Sequence, residues 1–140
     1  MKFSDDIATV KHARASFRFF TNEVFSHSTD IMKNHEYTGG DFVDMICDWL
    51  HGNLITCRLS ARDHLKSMSF YSHIMWKLFK NWQYDREIQY FSYNNKMAGY
   101  HVAKIKRAVL CNPFFDGIID NKPSAEQIIS FSWPRKIEAS

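Results

Sequence analysis

From Phe70 to Trp82 the chain sets Phe70, Tyr71, Ile74, Met75, Leu78, Phe79 and Trp82 at helical spacing, a broad apolar face that only a packed helix can bury. Other stretches share the period. Asp41, after the Gly39-Gly40 break, suits the N-cap of FVDMICDWLH, where Phe42, Met45, Ile46, Trp49 and Leu50 mark the expected core face and Gly52-Asn53 marks the end. Residues 96–111, KMAGYHVAKIKRAVLC, align Ala98, Val102, Ile105 and Val109 behind Asn94-Asn95, and Pro113 stops the helix. Residues 8–33 place Val10, Phe17, Phe20, Val24 and Phe25 near the same spacing, enough for one helix or two.

Between these helices lie segments of another kind. NLITCRLS (53–60) alternates Leu54, Thr56 and Arg58 against Ile55, Cys57 and Leu59, REIQYFSY (86–93) is β-branched and aromatic, and IISFSW (128–133) repeats the pattern. Strands alternating with helices predict an α/β fold with right-handed βαβ units and a parallel sheet. The expected organisation is a helical N-terminal segment over 1–50 and an α/β core over 51–140.

Composition limits the function classes. With 45% hydrophobic and 24% charged residues the chain reads as one globular domain, and its twelve Phe and four Trp are interleaved with charges, never forming the roughly 18-residue apolar run of a membrane span. Asp5 and Asp6 interrupt any secretory layout, so a cytoplasmic location is expected. Cys47, Cys57 and Cys111 fit neither a zinc ribbon nor a disulfide framework and are expected as reduced core residues. The seven histidines lack the paired helical spacing of zinc hydrolases. A net charge of +3 permits contact with nucleic acid without arguing for it.

The chemistry sits in SARDHLKS (60–67), between the first expected strand and the Phe70–Trp82 helix. A nucleotide's phosphates need converging backbone N–H groups and a cation, and a loop feeding a helix N-terminus offers both. Against the phosphate-binding pattern G-x-x-x-x-G-K-[ST], Lys66 and Ser67 match while Ser60 and Leu65 occupy the glycine positions. A non-glycine at Leu65 costs about 1–2 kcal/mol if that backbone is left-handed.

Three segments, in order, resemble the terminase large subunits of tailed phages, the ATPases that package viral DNA. SARDHLKS is similar to that family's divergent P-loop. YFSYNNKMAGYHVAKIKRAVLCNPFF is similar to its second strand and helix, with Asn112-Pro113-Phe114 the most specific block, and SFSWPRKIEAS is similar to the strands before its acidic Walker B strand. The resemblance implies a P-loop NTPase-like, three-layer fold, with ATP and Mg²⁺ as cofactors. Lys66 would then bind the β/γ-phosphates and Ser67 would ligate Mg²⁺. The backbone of Arg62, Asp63, His64, Leu65 and Lys66 would cradle the phosphates, and Arg62 would serve as the catalytic, finger-like charge. The implied partners are double-stranded viral DNA, the portal protein, the small terminase subunit and further copies of the chain. The implied place is the host cytoplasm and, transiently, the procapsid portal.

No apolar strand ending in paired acids follows within the 140 residues, so the expectation is an ATPase core truncated before its Walker B strand, self-associating through an unpaired sheet edge and turning over no ATP alone. Other readings stay open. Lys66-Ser67 also suits an exposed helix start, Arg62 a loop charge beside Asp63, and Lys104, Lys106 and Arg107 a solvated helix face. At the level of function, the alternative is a standalone homologue acting as a decoy or regulatory binding module.

Overall fold

Ser16 divides the first apolar run. In the computed structural model, which describes residues 7–28, 41–57, 59, 66–81 and 88–115 (Lys66 in its backbone alone), α1 spans Ile7–Ala15. Ser16 then turns extended (φ −125°, ψ 114°), and its Oγ accepts from the Phe19 N–H at 3.2 Å to open α2 at Phe17–Phe19. The helix continues as a π turn, Phe20–Val24, and a 3-10 turn, Phe25–His27. Next come α3 (Asp41–Gly52), α4 (Lys66–Lys80), α5 (Asn95–Leu110) and a 3-10 turn at Pro113–Phe115. Asn94 caps α5, its side chain accepting from the Met97 N–H at 2.8 Å.

The central helix is α4, which packs on α1, the π turn of α2, α3 and α5. Its Tyr71, Met75, Trp76 and Phe79 meet Val10, Ala13, Phe17, Phe20 and Phe25 from the N-terminal side, Val43, Ile46, Cys47 and Leu50 from α3, and Ile105, Ala108, Val109, Phe114 and Phe115 from the C-terminal side. The core thus draws on residues from both sides of position 50, which itself lies inside α3. Buried polar groups are tied across it, as where the Thr21 and Ser72 hydroxyls pair at 2.8 Å. Among the described residues, no helix is long and apolar enough to cross a membrane.

This arrangement corrects the fold expected from sequence. The α/β, three-layer, parallel-sheet architecture is not formed, because the described residues contain no strand. Residues 53–57 and 88–92, expected within the first and second strands, are irregular, and 128–133 lies outside the described residues. The physical reason is the use of the helix faces. In an α/β sandwich each helix buries its stripe against a sheet, whereas here the buried faces of α3, α4 and α5 pack in one shared core with the N-terminal helices. Leu54, Ile55 and Leu59 are accordingly exposed.

Two smaller corrections follow. In α3 the buried face is Val43, Ile46, Cys47 and Leu50, while Phe42 and Met45, expected in the core, are exposed. FVDMICDWL is apolar around more than half its circumference, so periodicity leaves its rotation undecided. The acids orient it: Asp44 and Asp48 both pair with Arg18 of α2, and Asn22 donates to Asp44 at 3.0 Å. Of the cysteines, all free, only Cys47 is buried; Cys57 and Cys111 are exposed.

His73 gives the core a pH dependence. Its Nδ1 is buried without a hydrogen-bond partner, and its ring meets Phe17 edge-on at 5.0 Å. Burial, then the positive charges of Lys77 and His51, push its pKa down to about 4. The unfolded chain therefore takes up this proton first as pH falls below about 6.5, and stability drops between there and about 4. Partial exposure limits the loss to about 1–2 kcal/mol. Wild type is expected to lose stability relative to His73→Phe as pH falls through that window, read from denaturation midpoints; a difference that does not change with pH would remove His73 as the cause.

Candidate phosphate-binding site

The sequence-expected site centres on the start of α4, and the helix does begin at Lys66. Ser67 lies in the first turn with its side chain exposed. Arg62, Asp63, His64 and Leu65 lie outside the described residues. What is not found is the preceding strand, since residues 53–57 are irregular.

The charge at this helix start differs from that of α3. A helix N-terminus carries unpaired N–H groups and the positive end of the dipole, so acids gather there, as Asp41 and Asp44 do in the first turn of α3. The first turn of α4 has no acid and begins with a lysine. A cation at that end costs about 0.3–1 kcal/mol, which an anion bound there would reverse. These features fit a phosphate: first-turn N–H groups, the Ser67 hydroxyl and the charge of Lys66 all favour one. Among the described residues no group of three or more His, Cys, Asp or Glu side chains could hold a metal ion, so Ser67 alone stands for the expected Mg²⁺ ligand.

The asymmetry extends beyond one turn. Within residues 66–81 and 88–115 there are seven Lys or Arg and no Asp or Glu, while Asp63, Asp85, Glu87 and Asp116 flank these spans in the sequence. Residues 7–28 and 41–57 contain three Lys or Arg against four acids. The net charge of +3 averages over this division. Lys77 and Lys80 lie 5.5 and 4.7 Å from the Trp76 ring centroid, covering a buried indole, which is packing more than recognition.

On α5, Lys96, Tyr100 and Arg107 lie on the side opposite the buried Ile105 and Val109, and Lys104, one turn before the buried Ala108, lies half-buried at the flank of that side. Lys104 Nζ sits 5.6 Å from the Tyr100 ring. Beneath them, Tyr71 of α4 hydrogen-bonds His101 Nδ1, and Tyr90 lies against the His101 ring at 5.2 Å. Burial lowers the His101 pKa and raises that of Tyr71, so both groups are neutral where they meet. Sequence reasoning weighed Lys104, Lys106 and Arg107 but missed Lys96 and Tyr100. The signal for them was the absence of any acid from Ile88 to Phe115. No family model matches the chain, and neither a curated protein nor a solved structure matches it.

Proposed function

We propose that the chain is the ATP-binding portion of a viral DNA-packaging motor of the terminase large-subunit kind, with the start of α4 as its phosphate site. The observation that carries this is the lysine that opens a 15-residue helix whose first turn has no acid. The SARDHLKS resemblance supplies the nucleotide and the motor. In this reading the first-turn N–H groups donate to phosphate oxygens, Lys66 neutralises the β/γ-phosphates, and the Ser67 hydroxyl faces Mg²⁺. Arg62 supplies charge to the hydrolytic transition state when the motor is complete. The cation's chemistry is to draw charge from the phosphates; binding and orientation fall to the chain. Double-stranded DNA, the portal protein and the small terminase subunit are the partners of that motor.

A second reading, a binding module without ATPase activity, is favoured by the irregular chain at residues 53–57, where a nucleotide-binding strand was expected. Thermal unfolding separates the two. Mg-ATP at about 100-fold over Kd stabilises by about 2.7 kcal/mol, roughly 8–10 °C for a chain this size. Lys66→Ala is expected to abolish most of the shift, Ser67→Ala to reduce it mainly when Mg²⁺ is present, and Lys104→Ala to leave it intact. No shift of the wild type at millimolar Mg-ATP would put the binding module first.

A further inference from the structure

Tyr90 holds an irregular segment against α5. Its ring is partly buried on the core and on His101, while its neighbours on the chain turn outward. Phe91 is 82% exposed and Tyr93 83%, and Tyr100, one helical turn beyond Lys96, is 53% exposed. All three rings stand in a stretch, 88–115, with four Lys or Arg and no acid between Glu87 and Asp116, and open rings gathered near cations mark an interaction surface.

Cations and open rings together select a partner. Phosphates answer Lys96, Lys104 and Arg107; the rings need flat apolar faces to cover them. A duplex hides its base faces in its own stack, and an acidic peptide brings carboxylates without flat rings. A single strand offers both phosphates and free base faces. We propose that the outer face of α5, with Phe91 and Tyr93 of the segment before it, is a binding surface for single-stranded nucleic acid. Lys96, Lys104 and Arg107 take successive phosphates, and Phe91, Tyr93 and Tyr100 stack on unpaired bases. Lys104, poised over Tyr100, joins the two functions at one point. The proposal uses neither Lys66 nor Ser67 and does not depend on nucleotide binding there.

Fluorescence anisotropy on the full chain tests this with four labelled probes of twelve nucleotides: oligo-dT, oligo-U, a DNA duplex, and an abasic strand that keeps the phosphates and lacks bases. The expected result is oligo-dT and oligo-U binding about tenfold or more tighter than the duplex and the abasic strand at equal salt. The slope of log affinity against log salt should be near −2, for about three phosphates. Phe91→Ala with Tyr93→Ala should weaken oligo-dT about thirtyfold or more and leave the abasic strand unchanged. Arg107→Gln should weaken every probe, whereas Lys11→Gln, the same charge change on α1, should weaken none. The ring substitutions lie on the surface, and circular dichroism confirms that they fold. Equal or tighter binding of the duplex, insensitivity to the ring substitutions, absence of binding, or an equal effect of Lys11→Gln overturns the proposal. The Mg-ATP shift is read separately, so either result can fail without the other.

Discussion

Asn112→Ala is expected to destabilise the chain by about 3–4 kcal/mol, lowering its melting temperature by roughly 10–15 °C. The side chain is buried and makes three bonds at once: Nδ2 donates to the Val24 carbonyl at 2.8 Å and to Ser28 Oγ at 2.9 Å, and Oδ1 accepts from the Phe114 N–H at 3.0 Å. Ser28 in turn donates to the Ala108 carbonyl at 3.1 Å. The amide therefore ties the end of α2 to the end of α5 and shapes the turn that sends Phe114 and Phe115 into the core. Alanine leaves the Val24 carbonyl and the Phe114 N–H buried with nothing in return, at about 1–3 kcal/mol each. Urea unfolding should show a lower midpoint with an unchanged slope. A loss under about 1 kcal/mol would mean that water replaces the amide and the network is not closed.

The same residue shows what the sequence could and could not convey. Asn112-Pro113-Phe114 was the most specific block of the terminase resemblance, and in this structure its asparagine has a structural task. Nothing local in the sequence announces that task, since Val24 and Ser28 lie more than eighty residues away. The helices were legible because their period is local. Expected spans of 42–51 and 96–111 became Asp41–Gly52 and Asn95–Leu110, and the Phe70–Trp82 stripe fell largely within Lys66–Lys80. What periodicity could not supply was the partner of each face. NLITCRLS has strand composition, but a strand needs neighbours to pair with, and the helices had already buried one another. The rotation of α3 depended on Arg18, on a different helix. At the candidate site the start of α4 was legible from Lys66-Ser67, whereas the run of cations along α5 was hidden by a net charge summed over the whole chain.

Replacing Trp76 should reveal how far the fold depends on one side chain of the central helix. Trp76 is fully buried, and its Nε1 donates to the Ala13 carbonyl at 3.0 Å, fastening α1 to α4. Its ring lies 5.2 Å from Phe17 and 5.3 Å from His51, so α1, α2, α3 and α4 all meet around it. Trp76→Ala removes the largest fully buried side chain among the described residues and opens a cavity, at a cost of about 3–5 kcal/mol, and also strands the Ala13 carbonyl, adding about 1 kcal/mol or more. Trp76→Phe keeps most of the apolar volume and loses the donor, so about 1–2 kcal/mol is expected. The two variants separate packing from hydrogen bonding, and amide exchange locates the damage. In Trp76→Phe the amides of Ile7–Ala15 should lose protection ahead of those of α5, because α1 is the helix the indole N–H holds. If the two helices lose protection together, or if alanine costs no more than phenylalanine, Trp76 is not the point on which α1 is fastened to the rest of the core.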